Sequence, residues 1–365
     1  MKKLLLVLLL CPLFVTKCYA ENIYEQAAGL AGVYQVEEGL SQEEKEISGS
    51  LRVDGSYDTE GALRRLFDRL QQRVTEELRD NIRYAAKLVG AALLCALLCA
   101  MTEDKKIIAA MEIAGCCAVS LMLAGGLESM VAQATDPLAR LSDYSRAAIP
   151  AIFTAAAAGG ALVSASARYA AVCLAMDVII SAQQRFVLPL IYAFLAISVC
   201  RSVFDNAILS AVGKFVKWCI TTALTVITLV FSAYISLTGV IAGSTDAVAV
   251  KAARTAISSA LPVVGGILAD SASVLLAAAA VIKNAAGAFS LVAVCALCIG
   301  PFAVLSVKML LFKLAAAMTD MLPTNRLSRL IGDFGTLFGM LLGMIGSCGI
   351  MLFLSIMSGI RVVTA

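Results

Sequence analysis

The 365-residue chain has 12 cysteines and no histidine, and that pairing narrows the chemistry open to it. Without histidine the commonest general base and metal ligand is gone. Serine–histidine and cysteine–histidine nucleophilic sites are excluded. A zinc site would have to rely on cysteine or carboxylate. Cys11 and Cys18 fall in an N-terminal leader. Cys95, Cys99, Cys116, Cys117, Cys173, Cys200, Cys219, Cys295, Cys298 and Cys348 lie in or beside apolar stretches and read as small packing residues. Cys295-Ala-Leu-Cys298 has CxxC spacing, but it sits in a continuous apolar run with no Trp, Gly or Pro between the thiols, which gives no redox or metal signature. An intramembrane protease lacking histidine would need paired aspartates, and Asp177 and Asp270 have none of the usual flanking motifs. No P-loop, DxD, HExxH or GxSxG pattern occurs. The expectation is a chain with no catalytic residues, no metal and no cofactor.

Other residues carry a different message. Glu112, Arg168, Asp177, Asp270 and Lys283, with Asn284 beside the last, lie within or at the edges of apolar runs. A charge buried in lipid is costly, so such residues face a bundle interior or an aqueous cavity, or pair and snorkel. Arg168 and Asp177 are too far apart for i,i+4 pairing on one helix; a contact between them would need a break. Pro150, Pro189, Pro262 and Pro301 are candidate helix breaks, as is Gly265-Gly266 after Pro262. Irregular backbone at membrane depth is tolerated only where protein or water covers it.

The elements that position these residues follow from hydropathy. The chain is 60% hydrophobic and 15% charged, with a mean hydropathy of +0.89. Soluble domains run at roughly 45–50% apolar and 25% charged. The composition predicts an all-α, polytopic transmembrane helical bundle. Apolar runs near 84–101, 107–126, 148–167, 169–182, 186–203, 215–241, 271–289, 290–312 and 334–358 give seven to nine spans. Runs rich in Ala, Gly and Ser favour close helix packing. A net charge of +3 gives no case for a nucleic-acid partner; the bilayer is the expected one.

The N-terminus reads as a secretory leader. Lys2 and Lys3 precede an apolar Leu4–Val15 segment, and Cys18-Tyr19-Ala20 predicts cleavage after Ala20. Residues 1–20 are then a signal peptide, 21–87 a short extracytoplasmic region, and 88–365 the multi-pass domain. From Thr59, Leu63, Leu66, Phe67, Leu70, Val74, Leu78 and Ile82 recur at helical spacing among charges, an amphipathic helix. It suits a membrane surface, a partner, or this chain's own helices. Lys105 and Lys106 fall on the cytoplasmic side under the positive-inside rule. The side of the C-terminus is left open. Pro150 and Pro189, like Pro262 and Pro301, are 39 apart, and an offset of 112 relates the pairs and carries Lys214 and Lys217 onto Arg326 and Arg329. This suggests a tandem repeat over 148–258 and 260–365, as many transporters have.

The segment Leu261-Pro262-Val263-Val264-Gly265-Gly266-Ile267-Leu268-Ala269-Asp270 resembles a hallmark of the stage III sporulation protein AE family. So do Val281-Ile282-Lys283-Asn284-Ala285-Ala286-Gly287 and the C-terminal stretch 327–359. The resemblance runs from about residue 85 to the end. It implies a mother-cell membrane protein of a transenvelope, secretion-like complex between mother cell and forespore, needed for forespore development after engulfment. It also implies an associated ATPase and other stage III membrane proteins as partners, and no catalytic residues. The alternative is a stand-alone small-solute permease.

Overall fold

The computed structural model describes residues 37, 39–49, 57–158, 162–204, 206–260, 265–322 and 325–361. Among them every regular element is helical. Helix α1 (Gln42–Ser48) is nucleated by Ser41, whose N–H donates to the Glu44 carboxylate at 2.8 Å. It ends at Gly49, whose φ of 73° is open to glycine at little cost. Helix α2 (Thr59–Ala100) starts at Asp58, whose carboxylate accepts from the Gly61 N–H at 3.0 Å. Asp104 caps α3 (Lys105–Ala124) in the same way. Then come α4 (Leu127–Ala158), α5 (Leu162–Ala182), a π-helical segment (Gln183–Val187), α6 (Leu188–Phe204), α7 (Ala207–Ala260), α8 (Gly265–Thr319) and α9 (Asn325–Arg361).

The centre of the bundle is the α8–α9 hairpin, the most extensive helix pair. It is antiparallel: Gly287 meets Ile360, Gly346 meets Phe302, Gly339 meets Met309 and Gly335 meets Lys313. At Gly335 an added Cβ would lie 3.2 Å from the Lys313 backbone nitrogen, so glycine lets the backbones approach closely without a shift. Phe289, Leu305, Phe334, Phe338, Met344 and Leu352 are buried along this seam, with Leu138, Leu141, Tyr144 and Ile152 of α4 packed into the same cluster.

Six helices among the described residues are long and apolar enough to cross a membrane: 59–100, 105–123, 169–204, 207–236, 284–319 and 326–360. This is fewer than the seven to nine expected, for two reasons. Two expected pairs of spans merge: 169–182 with 186–203 through the π segment, and 271–289 with 290–312 inside α8. Lipid offers no water to an open loop, so the chain keeps its helical hydrogen bonds. The expected 148–167 span begins inside α4, which carries Asp136, Arg140, Asp143 and Arg146 and is not among the six.

The amphipathic stretch and the first span are one continuous helix, α2. Its Leu66 and Leu70 pack with Ile47, Ala296 and Ile299, and its Val74 and Ala85 with Val307 and Leu311. Of the three surroundings open in the sequence, its inner face takes this chain's own helices. Helix α1 fastens the arrangement: Glu43 pairs with Arg69 at 2.7 Å and Arg73 at 2.5 Å, and Glu44 with Arg140 of α4 at 2.5 Å.

Candidate functional site: interhelical polar clamps and a lysine-ended groove

Where α3, α6 and α9 meet, two ion pairs cross between helices. Glu112 of α3 pairs with Arg326 of α9 at 3.2 Å, and Arg201 of α6 pairs with Asp333 of α9. Their side chains are only 15–18% exposed. Arg326 also donates to the Val203 carbonyl at 3.0 Å, at the open C-terminal end of α6. Ser328 donates to Asp320 and to the Ala316 carbonyl, tying the α8–α9 turn to the start of α9. Low-exposure ion pairs gain geometry more than stability, since desolvation offsets much of the attraction.

A second clamp lies further along α9. Gln183, fully buried in the π segment, donates to Ser347 at 2.7 Å and accepts from the Cys348 thiol at 2.9 Å. Its amide reaches across because the π turn shifts the register of the helix at that point. Such single π turns recur at functional sites.

Between the two clamps, α7, α8 and α9 line an open groove of about 990 Å³, near the top of the ~300–1,000 Å³ range of ligand pockets. One wall is α7, with Thr221, Thr225, Thr228 and Ser232. Each hydroxyl donates to the carbonyl four residues earlier in its own helix, which leaves methyl and methylene groups on the groove. The floor is the glycine face of α9: Gly335, Gly339, Gly343 and Gly346. Lys217 and Lys313 stand at one end. Lys313 donates to the Gly332 carbonyl at 3.1 Å and Thr336 at 2.7 Å. The arrangement offers an apolar trough with positive charge at one end. Among the described residues no group of His, Cys, Asp or Glu has metal-ligating geometry.

The sequence candidates divide. Glu112 joins the first clamp. Asp177 lies in an exposed pair with Arg146 of α4 at 3.3 Å. Asn284 is exposed on α8. Pro150 and Pro301 lie inside α4 and α8, whose helical assignment runs through both; the lost hydrogen bond of a proline is tolerated where neighbouring groups cover it. Pro189 follows the π segment at the start of α6, and Gly265 and Gly266 open α8. Pro262 and Ala20 lie outside the described residues, as do the side chains of Arg168, Asp270 and Lys283. Sequence reasoning missed Arg201, Asp333, Gln183 and Ser347. Gln183-Gln184-Arg185 reads as a gap between spans, and only its partners on α9 reveal Gln183 as an interior residue.

A family model described as Stage III sporulation protein AE matches residues 53–362. The protein called "Stage III sporulation protein AE" from Bacillus subtilis (strain 168) is 25% identical over 187 residues, covering 51% of this chain and 46% of that relative. The match thus spans about half the length of the relative. No solved structure matches. With the family model covering most of its length, this multi-pass membrane chain belongs to the stage III sporulation protein AE family.

Proposed function

We propose that the protein is a non-enzymatic membrane subunit of a transenvelope, secretion- or channel-like complex between mother cell and forespore, required for endospore development. The observation that carries this reading is family membership over residues 53–362 in a chain with six membrane-length helices. On this reading the protein sits in the mother-cell membrane with its N-terminal region extracytoplasmic. It works beside other stage III membrane proteins and an ATPase. The polar clamps fit a subunit that holds helices in register.

The competing reading is a stand-alone small-solute permease. The groove between α7, α8 and α9 is of ligand size, and the 112-residue offset pairs α6 and α7 with the end of α8 and α9.

Deletion of the gene in the native host separates the two. The proposal predicts loss of heat-resistant spores after engulfment with normal vegetative growth on defined media. Normal sporulation with a nutrient-specific growth defect would contradict it and favour the permease.

A further inference from the structure

Two helices at one level of the bundle present opposite surfaces. Helix α2 runs parallel to α8, with Leu66 and Leu70 beside Ala296 and Ile299, and Val74 and Ala85 beside Val307 and Leu311. The rings of Tyr84 and Phe312 are 6.2 Å apart. The charged half of α2 therefore lies alongside residues 296–312 of α8, inside the most apolar helix of the chain, 284–319. Helix α7 reaches the same level from another side. Its Leu224 packs on Gly343 of α9, between the contacts of Phe302 with Gly346 and of Met309 with Gly339.

At this level the outward surface of α7 is largely apolar: Phe215, Trp218, Val226, Leu229 and Val230 are exposed, with Lys214 and Lys217 exposed on the turns before Trp218. The outward surface of α2 is rich in charge: Arg64, Asp68, Glu76, Arg79, Asp80 and Arg83 are exposed, with Leu63, Phe67, Leu78 and Ile82 exposed among them. Residues 284–309 of α8 between them include no exposed large hydrophobic side chain. Each charge set against hydrocarbon costs about 2.5–3.5 kcal/mol on insertion scales, so a row of them along α2 does not face lipid. Acids and bases are interspersed along this face, which spares it the self-repulsion of a single sign.

We propose that the outer face of α2 from Arg64 to Arg83 is the hydrated wall of an aqueous passage at membrane depth, while α7 faces lipid. The passage suits small hydrophilic solutes of either charge, because the wall carries both signs. This rests on the channel reading above, adds to it the surface that water touches, and moves residues 64–83 from the extracytoplasmic region expected from the sequence to membrane depth, because they lie beside residues 296–312 of α8.

The test is thiol accessibility in membranes from sporulating cells of the native host. Asp68→Cys, Glu76→Cys and Arg79→Cys report on α2, and Val226→Cys and Leu229→Cys on α7. Each is placed in a full-length chain whose native cysteines are replaced by serine or alanine. A membrane-impermeant maleimide should label the α2 positions about tenfold faster than the α7 positions, because the reactive thiolate forms in water. Equally slow labelling would show α2 covered by lipid or protein and overturn the proposal. Equally fast labelling would show that this whole level stands outside the bilayer, which overturns it as well. If the cysteine-free chain fails to accumulate, hydroxyl-radical footprinting of the unmodified chain decides. Oxidation of Phe67 and Leu78 with protection of Leu229 is expected, and the same modification at all three contradicts. Both readouts report water contact whatever the spore phenotype, so the passage and the complex fail separately.

Discussion

The α8–α9 and α2–α3 hairpins are both built from membrane-length helices, but they use their apolar residues differently. In α8 and α9, 56% and 61% of the most apolar stretch is buried inside the protein; in α2 and α3 the shares are 33% and 17%. The inner hairpin is sealed by glycines, by α4 and by α2 itself. The outer hairpin turns Leu93, Leu94, Leu97, Leu98 and Leu121 outward. Membrane-length apolar helices thus serve two ends: a core that packs protein on protein, and a surface that needs a bilayer or another subunit. The ion pair between Glu112 and Arg326 joins the two hairpins.

Breaking that joint should have the largest effect. Arg326→Ala leaves Glu112 without its cation and the Val203 carbonyl without its donor. Loss of one partner of a low-exposure pair costs about 3–5 kcal/mol, so the detergent-solubilised variant should show a clearly lower thermal midpoint. Arg326→Glu combined with Glu112→Arg should recover part of the loss. Full stability of Arg326→Ala alone would mean the hairpins are joined by packing only.

The next effect separates the two surfaces. Leu94→Arg on the outer hairpin should impair insertion by about 2.5–3.5 kcal/mol, read as reduced membrane-integrated protein in a glycosylation-based insertion assay. Unchanged integration would show that this face meets water or a polar partner.

Glycines sharpen the contrast further. Gly335→Ala in α9 pushes a methyl against the Lys313 backbone and should destabilise by about 1–3 kcal/mol. Gly90→Ala in α2, where nothing lies within 4 Å, should stabilise by about 0.5–1 kcal/mol through helix propensity. Thermal unfolding of the pair checks both signs.

The smallest effect is a pH dependence at the short helix α1, which is not one of the membrane-length helices. The guanidinium of Arg73, and after it that of Arg69, holds the Glu43 carboxyl below its ordinary value of 4.5. A depressed carboxylate stabilises the fold above that value and loses the contribution as pH falls through its lower folded value. Docking of α1 on α2 should therefore weaken as pH drops below about 4.5. The change should be within about 1 kcal/mol, since the pair is partly exposed. Glu43→Gln should remove this dependence in limited proteolysis of the α1 region; an identical acid profile in the variant would assign it to another group.

Much of the architecture was legible in the sequence, because a run of apolar residues long enough to span carries its own signal. All-helical structure, the multi-pass character and the amphipathic stretch from Thr59 could be read from types and spacing. Boundaries could not. Gln183-Gln184-Arg185 reads as a loop by composition, yet Gln183 finds Ser347 and Cys348 more than 160 residues away and the helix continues. Pro150 and Pro301 read as breaks, yet their helices run on, because local propensity yields where lipid or protein excludes water. The Arg201–Asp333 pair was invisible for a similar reason: each residue sits at the end of an apolar run, where snorkelling is the simpler expectation, and only the tertiary fold sets them together.

The central claim is that this chain acts as one subunit of an assembly. The most direct measurement is affinity isolation of the tagged full-length protein from solubilised membranes of sporulating cells, with its companions identified by mass spectrometry. Co-recovery of other stage III sporulation membrane proteins and an ATPase, absent from an untagged control, is the predicted result. Recovery of the chain alone, from membranes in which those proteins are present and stable, would contradict the account.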